Sequence, residues 1–144
     1  MTSTPALMLK FARVLSIVGI DTVMSKLDEL EQSAPNTVNK EVEAYIITIV
    51  CSQYKTSLSA IRKPRVDGDE LIARDMCFVL FDKHLDGMSH QKIADILDKS
   101  NTAVSNALKK FSKMDKKIKH EREFVEIYYD LNEKVKSFKK TIEN

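Results

Sequence analysis

Glycine and proline are scarce in this chain, with three of each among 144 residues. An all-β sandwich or barrel needs turn residues at intervals of roughly 8–12 positions, so this scarcity argues against such a fold. The glycines, Gly19, Gly68 and Gly87, are also too far apart to form a phosphate-binding loop or a dinucleotide fingerprint. We therefore expect a protein that binds no nucleotide and needs no cofactor.

The chain also lacks the residue groupings of an enzyme or a metalloprotein. Its two cysteines, Cys51 and Cys77, lie inside apolar stretches, without a CxxC motif or a histidine at zinc-ligand spacing. The histidines, His84, His90 and His120, are scattered in a way that is typical of surface residues. We expect no catalytic residues, no metal, and two reduced thiols in the core of a cytoplasmic protein.

Long apolar runs are absent as well. No stretch approaches the ~18 apolar residues of a membrane span. An apolar stretch near the N-terminus is interrupted by Lys10 and Arg13, and no small-residue cleavage site follows it. We therefore expect neither a signal peptide nor a membrane partner.

The net charge of +2 hides a local excess of lysine. Bases total 23 against 21 acids over the whole chain, but residues 101–120 hold six lysines and a single acid, Asp115. A second basic run, RKPR, spans residues 62–65. Clusters of this kind are the electrostatic footprint of phosphate binding, so they favour a nucleic-acid partner.

Apolar residues at helical spacing predict an all-α fold. Residues 1–36 are expected to form an N-terminal helical hairpin, a candidate oligomerisation element, and the run SAPNT at 33–37 predicts the loop that follows it. Residues 37–144 are expected to form a domain of about five helices. Its longer helices are predicted over 38–54, 69–85, 90–97, 102–114 and 120–142, with a short helical turn capped by Ser57.

Residues 93–110 have the spacing of a helix-turn-helix. Ala94 supplies the small residue that two closely crossing helices need where they touch, and Asp98 occupies a turn position where glycine is frequent. Four apolar residues are spaced to fill the crevice beneath the helices: Ile93, Leu97, Val104 and Leu108. The second helix would then project its other side into the major groove of DNA.

The exposed side of that second helix carries small polar residues that can approach base edges closely. The predicted base-contacting residues are Asn101, Thr102, Ala103, Ser105 and Asn106. Asparagine suits bidentate contact with adenine, and the methyl groups of alanine and threonine suit the thymine methyl. The predicted contacts to phosphate or the minor groove include Lys109, Lys110 and Lys113 on this helix, and Ser89, His90, Lys92 and Lys99 on the first helix and the turn.

Three consecutive stretches resemble the C-terminal DNA-binding domain of the bacterial replication initiator DnaA, a helix-turn-helix domain of the Trp-repressor type. They are SQYKTSLSAIRKPR at 52–65, RDMCFVLFDKHLDGMSHQKIADIL at 74–97 and SNTAVSNALKKF at 100–111. Asn101, Thr102, Ala103 and Val104 fall on the His, Thr, Thr and Val of the family's signature, and the turn before them is one residue shorter. The resemblance covers roughly residues 38–135.

The resemblance implies specific binding of double-stranded DNA, with Asn101 and Thr102 reading bases in the major groove. It implies that Arg62 enters the adjacent minor groove, with Lys63 and Arg65 as phosphate or groove contacts. The family's nucleotide-binding module has no counterpart here, which indicates a free-standing, nucleoid-associated protein without enzymatic activity. Its expected role is to regulate replication or transcription in a bacterium or a phage.

Two alternatives stay open. The last predicted helix carries a heptad seam of Phe124, Tyr128, Leu131, Val135, Phe138 and Ile142. This seam either closes the domain against the helix at 38–54 or, with its extension and the N-terminal hairpin, forms a homodimer interface. The alternative function is a helical protein-interaction or virion-associated module that no longer binds DNA, in which acids such as Asp98 would be tolerated.

Overall fold

The computed structural model of the protein describes residues 34–143, with side chains from Val38 onward. The predicted N-terminal hairpin lies outside these residues. Every regular element in the described range is a helix: α1 Ala34–Tyr54, α2 Leu58–Arg62, α3 Gly68–His84, α4 His90–Ile96, α5 Asn101–Ser112 and α6 Lys119–Glu143. The predicted all-α fold is confirmed.

The helix boundaries follow the sequence signals closely, with one exception. The predicted loop at 33–37 is wrong for residues 34–37, because α1 begins at Ala34. Pro35 does not prevent this, since proline is tolerated in the first turn of a helix, where its missing N–H has no intrahelical partner to lose. The expected domain boundary between residues 36 and 37 therefore falls inside the first turn of α1.

The core is organised around α3, which packs against each of the other five described helices. Its residues Met76, Cys77, Phe78, Leu80 and Phe81 have no solvent exposure. Ile72, near the start of α3, is an exception on the apolar side of this helix, since it is 38% exposed.

The heptad seam of α6 lies inside the domain. Phe124, Tyr128, Leu131 and Val135 are buried in the same cluster as the core of α1 and α3. Further along, Phe138 stacks face to face on Tyr45 of α1 at a centroid distance of 4.2 Å. These contacts confirm that the seam closes the domain against α1.

One histidine is buried, against the expectation that all three lie at the surface. His84, at the end of α3, is 4% exposed, and its Nε2 lies 2.6 Å from Oδ1 of Asn132 on α6. Burial lowers the pKa of His84 below its ordinary value, the hydrogen bond to Asn132 opposes this shift, and the charge of Lys139 adds to it.

This burial predicts a pH-dependent stability. The unfolded chain takes up a proton at position 84 near pH 6.5, while the folded protein resists it to lower pH. We expect the free energy of unfolding to fall as the pH drops below about 6.5, by at most ~1.4 kcal/mol per pH unit from this group, and to level off below the folded-state pKa. Urea unfolding between pH 5 and 8 measures it.

The matched variants are His84→Gln, which removes the titrating ring, and His120→Gln at an exposed histidine. The stability difference between wild type and His84→Gln should be constant above pH 7 or so and shrink below pH 6.5 or so, as follows from the direction of the shift. Parallel stability curves for these two proteins would contradict the prediction, and His120→Gln shows how far the loss of an exposed histidine alone alters the curve.

Candidate nucleic-acid interface

The segment from α4 to α5 forms two helices joined by a short turn, as the sequence predicts. Ser89 caps α4, its hydroxyl accepting from the Lys92 N–H at 3.3 Å, and Ser100 caps α5, accepting from the Ala103 N–H at 3.2 Å. Such serine caps satisfy donors that the first helical turn leaves free. They fix the points at which both helices begin.

The turn between the two helices is a Schellman motif. The Lys99 N–H donates to the Ala94 carbonyl at 3.0 Å, and the Asp98 N–H donates to the Asp95 carbonyl at 3.2 Å. Asp98 adopts φ +55°, the left-handed conformation that usually requires glycine and that aspartate tolerates better than most residues. Aspartate at this position is therefore compatible with a tight turn.

The apolar side of the two-helix unit is anchored in the core. Ile93, Ala94, Leu97 and Val104 have no solvent exposure, and Leu108 is partly buried against the same cluster. All four predicted crevice residues and the predicted contact alanine thus lie where the spacing placed them. Their packing leaves the opposite side of α5 facing outward.

That outward side is polar. We define the polar face of α5 as Asn101, Thr102, Ser105, Asn106, Lys109 and the C-cap residue Lys113, all of them exposed except Ser105, which is half-buried. Four uncharged residues occupy its N-terminal half and two lysines its C-terminal half. Ala103, a predicted base contact, is half-buried and packs against the core, so it is less accessible than its neighbours.

The basic run at 62–65, which we call the basic loop, is tied to the end of α4 and the turn. Arg62 donates from Nε and Nη2 to the Ile96 carbonyl at 3.0 and 2.8 Å. The Lys99 ammonium donates to the Lys63 carbonyl. These contacts, across more than 30 residues of sequence, hold the loop beside the start of α5, while the side chains of Lys63 and Arg65 remain exposed.

Two of the residues predicted to contact DNA therefore form hydrogen bonds within the protein. The Arg62 guanidinium donates to the Ile96 carbonyl at the end of α4, and the Lys99 ammonium donates to the Lys63 carbonyl in the basic loop. Burial lowers the pKa of Lys99, the nearby charge of Arg74 lowers it further, and Asp98 opposes the shift. Both residues position the basic loop in this structure.

A buried carboxylate anchors the flank of α5. Asp75 of α3 is 7% exposed and accepts two hydrogen bonds from Arg74, the shorter 2.9 Å, while Lys110 lies 3.8 Å from its other oxygen. Burying a carboxylate away from water is unfavourable unless cations compensate its charge, and Arg74 and Lys110 do so here. Part of the positive charge of Lys110 is thus already balanced.

The remaining predicted contacts lie around α4. His90 faces the carboxylate of Asp82 at 3.6 Å, the Ser89 hydroxyl serves as the helix cap, and Lys92 lines a shallow groove together with Lys40 and Arg62. The structure therefore brings the basic loop, the turn and α5 together and places His90 toward α3.

The sequence did not predict that Arg62 and Lys99 hydrogen-bond to backbone carbonyls within the protein. It also did not predict that Asp75 is a buried partner of Arg74 and Lys110. The one sequence signal for Asp75 is a charged residue between Ala73 and Met76 on the apolar side of a helix, which requires a partner if it is buried.

Neither a metal site nor a membrane span is found in the described part of the chain. Between residues 34 and 143, no three His, Cys, Asp or Glu side chains are grouped so that they could hold a metal ion. Over the same range, no helix combines the length and the apolar character needed to cross a membrane.

Comparison with known proteins gives no match: no family model fits the chain, and no curated protein or solved structure is significantly similar to it. The resemblance to the DnaA C-terminal domain thus rests on the motifs quoted above and stays a prediction.

Proposed function

We propose that this protein binds double-stranded DNA sequence-specifically, with α5 in the major groove. The observation that carries the proposal is the polar face of α5, whose small uncharged residues lie between two groups of basic side chains. At one end is the basic loop, with Lys63 and Arg65 exposed. At the other end are Lys109 and Lys113.

The dimensions of α5 suit this arrangement. Its 12 residues correspond to a length of roughly 18 Å, and the major groove is about 12 Å wide. With Asn101 and Thr102 at base edges, basic groups at both ends of the helix fall near the two phosphate backbones that flank the groove. Phosphate contacts fix position on the duplex, and base contacts supply sequence preference.

The basic loop supplies the second contact in this proposal. Lys63 and Arg65 reach phosphate or the neighbouring minor groove, while Arg62 and Lys99 hold the loop in place. For Arg62 itself to enter the minor groove, as the resemblance to DnaA implies, its guanidinium would have to leave the Ile96 carbonyl. The expected biological role is regulation of replication or transcription at a DNA site, with association with the nucleoid.

Selection of bound duplexes from a random pool, followed by gel shift of the selected site, tests the proposal. We expect an enriched sequence bound with a dissociation constant of about 10⁻⁸ M or below, and nonspecific duplex bound about 10³-fold or more weakly. A palindromic site would indicate a dimer on DNA. No retention of any duplex at micromolar protein and low salt would contradict DNA binding and favour the protein-interaction module.

Salt dependence identifies the phosphate contacts. Lys63→Ala and Lys113→Ala should each weaken binding to all duplexes and reduce the slope of log K against log salt by about one, because each removes one released counterion. Lys134→Ala is the matched control, since this exposed lysine lies on α6 and pairs with Asp130. Unchanged slopes for the first two variants would exclude them as phosphate contacts.

A further inference from the structure

A lysine-rich turn connects α5 to α6, and the DNA contacts proposed above leave it without a role. Residues 113–122 carry five bases and two acids. We define the turn patch as the exposed bases of this segment that follow Lys113; they are Lys116, Lys117, Lys119 and Arg122. Within the described part of the chain, no carboxylate forms an ion pair with these four side chains, whereas Lys134 and Lys136 further along α6 each pair with an acid of their own helix.

The acids near the turn patch are engaged or turned away from it. Asp115 accepts a hydrogen bond from the Lys117 N–H at 2.9 Å, which fixes the turn, and Glu121 is half-buried with its Oε2 shielded from solvent. Glu123 lines a groove on the other side of α6, next to α3. Glu126, one helical turn beyond Arg122, marks the limit of the patch along α6. The patch therefore presents a local excess of positive charge to solvent.

Tyr129 of α6 borders the turn patch and is 56% exposed. The Lys116 ammonium lies 5.8 Å from the centroid of its ring, so the aromatic side chain and the lysine form one surface. Tyrosine hydroxyls are frequent donors to phosphate oxygens in DNA complexes. The preceding residue, Tyr128, packs on Phe111 of α5 at a centroid distance of 4.7 Å. This contact holds the patch beside the C-terminal half of α5.

The turn patch lies within a short reach of a proposed phosphate contact. Three residues of chain lead from Lys113 to Lys116, and three residues span at most ~11 Å even when fully extended. Along one strand of duplex DNA, successive phosphates rise by about 3.4 Å on the helix axis. If Lys113 contacts one phosphate, Lys116 and Lys117 fall within about three phosphates of it, and the Arg122 guanidinium steadies the turn by donating to the Lys116 carbonyl at 3.3 Å.

We propose that the turn patch binds the phosphate backbone of DNA just outside the base pairs that α5 contacts. The inference rests on the proposed function, since it adds a flank of the same duplex to the interface. The patch follows the C-terminal end of α5, whereas Asn101 and Thr102 lie at the N-terminal end. An anionic membrane surface would attract the same cations, and Ile118 is 43% exposed among them. Continuity with Lys113 on the polar face of α5 favours DNA as the partner.

Two lengths of the selected duplex test this flank contact by gel shift over a range of salt concentrations. One is trimmed to the base pairs that selection enriches, and the other is extended by about ten base pairs, one helical turn, on each side. Replacing Lys116 and Lys117 together by alanine should weaken binding of the extended duplex about tenfold or more at low salt and reduce its slope of log K against log salt by about two. Binding of the trimmed duplex should stay that of wild type. The matched control replaces Lys134 and Lys136 by alanine, which removes the same charge from α6 and should leave both duplexes unaffected.

The outcomes separate this inference from the proposed function. If wild type retains neither duplex, DNA binding itself is wrong and the flank contact falls with it. If wild type binds both lengths equally and the double variant changes neither, DNA binding stands and the turn patch has no part in it. Equal losses on both lengths would place the patch within the base-contacted site and overturn the flank contact. Without a flank effect, sedimentation of wild type but not the double variant with vesicles of phosphatidylcholine and phosphatidylserine would assign the patch to a membrane surface instead.

Discussion

Replacing Asn101 or Thr102 by alanine is expected to weaken binding to the selected DNA site by about 1–3 kcal/mol each, which is roughly 5- to 150-fold in affinity. Both residues are exposed at the N-terminal end of the polar face of α5, where a helix in the major groove comes closest to base edges. Because these side chains are uncharged, binding to nonspecific duplex and its salt dependence should hardly change.

Fluorescence anisotropy titration with the selected and a scrambled duplex measures both effects. Ser137→Ala is the control, an exposed small polar residue on α6 far along the chain from α5. Equal losses on both duplexes would show that Asn101 and Thr102 contribute to general affinity. Unchanged binding of the selected site would show that the polar face of α5 is not the base-contacting surface.

The local features of the fold could be predicted because their signals are contiguous in sequence. Ser57 is an N-cap in the structure, as predicted, because a serine hydroxyl needs only the backbone N–H three residues later. The polar face of α5 could also be predicted, since helical periodicity separates its exposed residues from Val104 and Ala107. The start of α1 could not, because Pro35 fits either a turn or a first helical turn.

The polar contacts between distant residues could not be predicted from the sequence. Arg62 and Ile96 are 34 residues apart, and His84 and Asn132 are 48 apart. No local pattern marks these pairs, since each joins segments that are distant in sequence and are neighbours only in the packed structure. The candidate site was thus predicted as a set of exposed residues, while the ties that hold the basic loop beside α5 emerged only from tertiary packing.

These ties change the interpretation of the basic run at 62–65. From the resemblance, Arg62 is the candidate for the minor groove, and Lys63 and Arg65 are candidates for phosphate or groove contacts. In the structure, the Arg62 guanidinium is engaged on the Ile96 carbonyl, and the exposed Lys63 and Arg65 are free to face outward. Arg62→Ala therefore removes a structural tie together with a charge, whereas Lys63→Ala removes a charge from an exposed side chain.

Leu97→Ala is expected to lower the free energy of unfolding by about 2–5 kcal/mol, because it deletes a side chain with no solvent exposure and leaves a cavity where α4 meets the turn. Urea unfolding followed by circular dichroism measures the loss. Leu97→Met preserves volume and should cost less than ~1.5 kcal/mol, while Gln91→Ala at an exposed site of α4 should stay within ~0.5 kcal/mol.

Hydrogen exchange in Leu97→Ala should accelerate first in α4 and α5, since Leu97 supports the junction between them. A loss below ~1 kcal/mol would mean that α4 and α5 do not depend on this contact for their placement.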